Sequence, residues 1–163
     1  MKKVLKVISR VFLGLLVAAL IVPFLIPVET SGTKTYQEAA GQAPSFAKAQ
    51  GIDIYTDVTE FDCQAETGCD NPPVFILLHG FGANTFSYRF VTEPLSSYGD
   101  VIAYDRPGFG FTQRPTSWEG ENPYGSAGND LILDELIQTY AASRDVYLVG
   151  HSAGGTQAAQ YVV

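Results

Sequence analysis

Residues 146–163 read VYLVGHSAGGTQAAQYVV, and the succession of residue types in this stretch decides how the rest of the chain is read. Val146 to Val149 is a continuous apolar run of the kind expected in a strand covered on both faces. Gly150-His151-Ser152-Ala153-Gly154 follows at once as a G-x-S-x-G motif, and the small and amide residues from Ala153 onward read as a helix. Glycines on either side of Ser152 allow a sharp, strained strand-to-helix turn. Such a turn holds the serine hydroxyl exposed and aims helix-terminal N–H groups at a reacting oxygen. The motif is short enough to arise by chance, so its surroundings must carry the reading.

Upstream, the pattern repeats. Val74 to Leu78 (VFILL) and Val101 to Tyr104 (VIAY) are further apolar runs, and Ile52 to Val58 reads as a preceding strand bounded by Pro72-Pro73. Between them, Phe86 to Leu95 is expected to form one helix. Ile132, Leu136 and Tyr140, flanked by Leu133 and Ile137, give an i, i+4, i+8 stripe for another. Strands separated by helical patterns predict right-handed crossovers, a mostly parallel sheet with flanking helices, and an α/β class. Open sheets of this class place their sites at the carboxyl ends of the strands. There His79-Gly80-Phe81-Gly82 follows VFILL, and Asp105-Arg106-Pro107-Gly108-Phe109-Gly110 follows VIAY as a tight turn.

The set LLHGFG, YDRPGFG and LVGHSAGG, in this order and spacing, resembles the α/β-hydrolase superfamily over about residues 52–163. The resemblance implies an α/β-hydrolase fold with Ser152 as nucleophile and the backbone N–H groups of Phe81 and Ala153 as oxyanion donors. Gly80, Gly82, Gly150 and Gly154 would shape the two turns. His79 would be structural, His151 would point away from the Ser152 hydroxyl, and Asp105 and Arg106 would shape their loop by hydrogen bonds or an ion pair. In the family order the acid and the general-base histidine follow the nucleophile, yet no His, Asp or Glu follows Ser152 here. The expectation is therefore an amino-terminal part of a longer chain, with later strands and any substrate-selecting cap beyond Val163, and inactive as it stands. A serine at the elbow resembles esterases, lipases, peptidases and carbon–carbon bond hydrolases. It argues against dehalogenase or epoxide hydrolase chemistry, whose covalent intermediate needs a carboxylate. The substrate implied is a small ester-like molecule, and no cofactor is implied. Trp118 and Tyr124 could line an acyl pocket or serve as ordinary packing. A non-catalytic binding protein on the same scaffold is the competing class, because fold alone does not separate the two.

The amino terminus carries a separate signal. Val11 to Val28 holds no charged residue, close to the roughly 20 apolar residues that cross a bilayer. Lys2, Lys3, Lys6 and Arg10 precede it and no cation follows closely, which predicts a cytoplasmic amino terminus and an exported remainder. A cleaved secretory signal is the alternative, although VETSG offers no clean cleavage site. Residues 1–28 are thus read as anchor or signal, 29–50 as linker and 51–163 as the domain. Four of the ten basic residues lie in the anchor, leaving six against seventeen acidic residues afterwards, a balance of −11 that disfavours nucleic acid as a partner. Cys63 and Cys69 sit six apart in a polar segment that suggests a local disulfide in an exported domain, with free thiols as the alternative. A zinc site would want four ligands, and the two histidines already belong to other motifs, so no metal is expected.

Overall fold

The computed structural model describes residues 2–27, 33–63 and 69–163. They fall into two compact units, Met1–Thr33 and Lys34–Val163. The first is a single helix, α1, over Lys2–Leu25. Its segment Lys3–Leu25 has a mean hydropathy of 2.4 and is long and apolar enough to cross a membrane, a test that a signal sequence also passes. Pro23 lies in its last turn, where the loss of one backbone hydrogen bond interrupts little of the helix. The end of the expected apolar run, Val28, lies outside the described residues.

The second unit is built on five strands: β1 (Ser45–Ala49), β2 (Ile52–Thr59), β3 (Val74–Leu78), β4 (Asp100–Tyr104) and β5 (Val146–Gly150). Their order across the sheet is β1-β2-β4-β3-β5. β3 pairs in parallel with both β4 and β5, β2 runs antiparallel to β4, and β1 antiparallel to β2, so every strand but β2 points the same way. Leu78 stands opposite both Tyr104 and Gly150 in this register. The three apolar strands therefore end level, and the residues just after them, His79, Asp105 and His151, emerge side by side at one edge.

Both faces are covered over β3 and β4, but β5, expected to be covered on both, is packed on one only: Tyr147 and Val149 on its other face are 54% and 37% exposed among the described residues. Val74, Ile76 and Leu78 of β3 point to one face, where they meet Ile132, Leu133 and Leu136 of α4 (Ser126–Tyr140) and partly buried Ala158 and Tyr161 of α5 (Ala153–Tyr161). Leu77 points to the other face with Val101 and Ala103, packed under Tyr88 and Leu95. The stripe on α4 was readable because the spacing of Ile132, Leu133 and Leu136 puts all three on one side of the helix.

Two segments differ from the sequence reading. Phe86 to Leu95 is not one helix but a 3₁₀ turn, Thr85–Tyr88, followed after a break by the short α3, Thr92–Ser96. A continuous helix would need an amide at position 94 to reach the Phe90 carbonyl. Pro94 has none, so it sits in the first turn of a new helix, where donors are orphaned anyway. The stretch 29–50, read as linker, carries structure from Thr35 on: α2 (Tyr36–Ala39), closed by a capping box between Thr35 and Glu38, and then β1. β1 is joined to β2 by the two-residue turn Gln50–Gly51, both with positive φ, which is the hairpin geometry that matches strand twist. Its buried positions are Ala47 and Ala49, small residues with little strand preference, so β1 leaves a faint trace in the sequence. The sulfurs of Cys63 and Cys69 are joined, with their Cα atoms 5.8 Å apart, inside the span that a disulfide allows.

Leu136 is fully buried between α4 and the sheet. Leu136→Ala should lower unfolding stability by about 2–5 kcal/mol through lost burial and the cavity left behind. Urea denaturation followed by far-UV circular dichroism checks this; a loss under about 1 kcal/mol would mean that α4 does not pack as described.

Candidate active site

Ser152 occupies the turn between β5 and α5 with φ 53° and ψ −119°, a conformation that side-chain-bearing residues avoid. Holding it there costs on the order of 1–3 kcal/mol, which surrounding contacts must offset. Those contacts are backbone ones. His151 N–H donates to the Leu78 carbonyl at 3.1 Å, Gly154 N–H to His151 O at 2.9 Å, and Thr156 N–H to Ser152 O at 3.1 Å. The start of α5 presses so closely on the end of β3 that a Cβ at Gly154 would overlap the Leu78 carbonyl oxygen. A Cβ at Gly150 would likewise run into the backbone of Gly154 and Gly155. The two motif glycines thus allow the crossing by having no side chain, and the Ser152 side chain is left exposed.

The HGFG segment meets this turn directly: a Cβ built on Gly80 would lie 3.3 Å from Ser152 Cβ and 3.1 Å from His151 Nδ1. Phe81 follows with its ring 85% exposed, and Gly82 turns the chain at φ +69°. His79 is fully buried. Its Nε2 accepts the Arg106 N–H at 3.1 Å, so the neutral tautomer that satisfies both nitrogens carries its proton on Nδ1 and donates to the Gly80 carbonyl at 2.7 Å. Burial lowers the His79 pKa below the ordinary imidazole value and the Arg106 charge adds to this, against a smaller pull upward from the Gly80 carbonyl. With both nitrogens engaged, His79 ties two loops together and has no free nitrogen for proton abstraction. Exposed His151 lies over Gly80.

Asp105 and Arg106 shape their loop by hydrogen bonds; among the described residues no ion pair joins them. Buried Asp105 accepts the Thr85 N–H at 2.7 Å with one oxygen and the Phe111 N–H at 2.8 Å with the other. A Cβ at Gly110 would collide with this carboxylate, which explains the last glycine of the DRPGFG segment. The Arg106 guanidinium donates to the His79 carbonyl at 2.8 Å. Phe109 packs edge-on against the rings of both His79 and Phe81. Two supporting residues escaped the sequence reading. Tyr88 donates its hydroxyl to the Leu78 carbonyl at 2.8 Å, and Thr112 donates its own to the Asp105 carbonyl. Neither belongs to a motif, and only the fold brings them to this edge.

The sequence pattern described as the α/β hydrolase fold matches residues 73–163, more than half of the chain and all three loops just described. The chain belongs to the α/β-hydrolase fold family. Among characterised relatives, Epoxide hydrolase 3 of Xenopus tropicalis is 35% identical over 97 residues, which is 60% of this chain and 25% of that protein. Protein phosphatase methylesterase 1 of Debaryomyces hansenii is 28% identical over 124 residues, 68% of this chain and 31% of that protein. The crystal structure of an epoxide hydrolase from Vigna radiata superposes with a TM-score of 0.56 at 25% identity, covering 71% of this chain and 32% of that one. This α/β-hydrolase chain thus spans about a quarter to a third of the length of the relatives it matches.

His79 is held neutral, so its share of stability is complete above the ordinary imidazole pKa of about 6.5 and is lost as pH falls below that value toward the lowered folded one. His79→Gln should destabilise the domain by roughly 1–3 kcal/mol at neutral pH and flatten the decline in stability as pH falls below about 6.5. Denaturant unfolding at a series of pH values checks this; an equally steep decline in the variant would place the titrating group elsewhere.

Proposed function

We propose that this protein is a serine hydrolase that cleaves an ester through an acyl-enzyme at Ser152. The observation that carries the reading is the strained turn at Ser152, which projects an exposed hydroxyl at the level edge where three strands end. In the proposed reaction Ser152 Oγ attacks the ester carbonyl carbon while a base takes the hydroxyl proton. The carbonyl oxygen becomes an oxyanion held by the N–H groups of Phe81 and Ala153. Collapse breaks the bond to the leaving alkoxide, which takes up the proton, and water then hydrolyses the acyl-enzyme by the same steps. The base is a histidine oriented by an acid, both outside these 163 residues, as the family order implies.

The named relatives include epoxide hydrolases, a methylesterase and a lipase, Lipase 1 of Psychrobacter immobilis. The residue at the turn favours the ester side of that range. Epoxide opening through a covalent intermediate uses a carboxylate, here replaced by Ser152, and the carboxylate of Asp105 is buried with both oxygens occupied. A non-catalytic binding protein on the same scaffold is the second reading, because the fold alone does not separate the two.

We place the domain outside the cytoplasm, tethered by α1, because the cations cluster at the amino-terminal end of the apolar helix. The joined Cys63 and Cys69 suit such a compartment.

In the full-length gene product, Ser152 should be phosphonylated by an organophosphonate probe. Ser152→Ala should abolish labelling and lower ester turnover by about 10³-fold or more. A folded full-length protein that neither takes the probe nor turns over esters would establish the binding-protein reading instead.

Protease added to spheroplasts should remove the domain, and a thiol-alkylating reagent should label neither Cys63 nor Cys69 without prior reduction. Protection of the domain in intact spheroplasts would refute the topology, and labelling of both cysteines in the native protein would refute the bridge.

A further inference from the structure

The 3₁₀ turn Thr85–Tyr88 and the residues after it leave an aromatic ridge in solvent. Thr85 and Tyr88, three apart and so on one side of the turn, are buried, which turns Phe86, Arg89 and Phe90 outward. Phe86 is 66% exposed and Phe90 is 76% exposed, with Val91 next to them at 43%. Arg89 lies over both rings, its guanidinium carbon 4.2 Å from the centre of Phe86 and 4.4 Å from that of Phe90. One of its amino groups donates to the Phe86 carbonyl at 2.9 Å, which holds the stack in place. Among the described residues no carboxylate pairs with this guanidinium. Packing does not account for the ridge, because Tyr88 and Leu95 already cover the sheet face beneath it. An exposed apolar patch of this kind marks an interaction surface.

The size and shape of the patch choose among occupants. The exposed parts of the two rings amount to roughly 300 Å², whereas a stable protein interface takes about 800 Å² from each partner. Arg89 fills the space between the rings, so the patch is a ridge and offers no groove for a helix or strand to enter. A bilayer needs neither the area nor the groove. Aromatic rings settle at the headgroup level, and a guanidinium there meets lipid phosphates. A small patch suffices because the domain, on the anchored reading, is held at a membrane by α1, and tethering raises the effective concentration of the two surfaces. The chain after the apolar run carries a balance of −11, which disfavours most of its surface at a phosphate-bearing bilayer and leaves the ridge as the side that faces it.

The ridge is also joined to the site. It follows the HGFG segment in the chain, and the Thr85 N–H at its start donates to the buried Asp105 carboxylate at 2.7 Å. Whatever the ridge touches is therefore brought to the loops that border Ser152. We propose that Phe86, Arg89 and Phe90 form a membrane-contact ridge that sets those loops against the bilayer surface, so that the ester substrate is drawn from the membrane. The proposal rests on the anchored serine hydrolase reading and deepens it by naming a lipid ester as the substrate class.

The test uses the full-length gene product in vesicles of phosphatidylcholine and phosphatidylglycerol. Phe90→p-benzoylphenylalanine keeps an aromatic group at the ridge and, on irradiation, inserts into a neighbouring C–H bond. Mass spectrometry should find its adducts mainly on lipid. Gln138→p-benzoylphenylalanine, at an exposed position of α4 across the sheet, should give about tenfold fewer lipid adducts or less. Phe86→Ser combined with Phe90→Ser should lower kcat/KM for a diacylglycerol embedded in the vesicles about tenfold or more, and leave that for p-nitrophenyl butyrate in solution within about twofold of the unaltered protein. Adducts of position 90 on protein in place of lipid, or equal lipid adducts from positions 90 and 138, overturn the ridge. A folded double variant that changes both esters alike, or neither, overturns it as well. The cross-link does not depend on turnover, so the proposal stays testable if the double variant does not fold. Absence of probe labelling at Ser152 and of all ester turnover overturns the hydrolase reading and the lipid-ester substrate, while lipid adducts at position 90 still support the membrane contact. Recovery of the protein outside the membrane fraction overturns the anchor, and the ridge with it.

Discussion

The carbonyl oxygen of Leu78, at the end of β3, is where the chain makes its tightest crossing. It accepts hydrogen bonds from the His151 amide and the Tyr88 hydroxyl, and the backbone of α5 lies against it at Gly154. Three elements distant in sequence are registered by that one group. The parallel pairing of β3 with β5 brings the two strand ends level, and the absence of side chains at Gly150 and Gly154 lets the helix start without first moving away from the sheet. The positive φ of Ser152 follows from this geometry, because the chain must reverse from strand to helix within about one residue. The strain is tolerated because the backbone bonds around it leave no relaxed alternative.

A second layer of constraint holds the loops that border Ser152. Asp105 and His79 are fully buried polar side chains whose hydrogen-bonding groups are used within the protein, the carboxylate by two backbone amides and the imidazole by one amide and one carbonyl. Satisfied buried groups of this kind rigidify the backbone they hold. Here they bind the end of β3 to the loop after β4. Both loops then stand on the sheet edge as one rigid rim. The neutral state of His79 belongs to the same design, since an imidazolium beside Arg106 and away from water would be disfavoured twice.

Membership of the α/β-hydrolase fold family constrains the chemistry without choosing it. Relatives named as an epoxide hydrolase, a phosphatase methylesterase and a lipase match 60%, 68% and 60% of this chain. Fold alone leaves the bond attacked open, because the chemistry belongs to the groups that the scaffold carries.

The apolar strands β3, β4 and β5, the helix α4 and the turn at Ser152 were legible in the sequence by itself. Their signals are local: unbroken apolar runs, a one-sided stripe over Ile132, Leu133 and Leu136, and glycines at fixed offsets from a serine. The apolar amino-terminal helix was equally plain, since length and hydropathy suffice to define it. The tertiary structure alone decided what depends on contacts between distant segments. β1 is a strand because it finds an edge of β2 to pair with, although its alanines carry no strong preference of their own. The helix expected over 86–95 breaks because Pro94 lacks an amide, while Tyr88 and Leu95 on either side of the break pack on the same sheet face. Nothing in the local sequence of α5, AGGTQAAQY, marks Gln157 for burial. Only the packing of α5 against the sheet beside Tyr104 buries its amide, because burial is a property of the assembled fold and not of the local sequence.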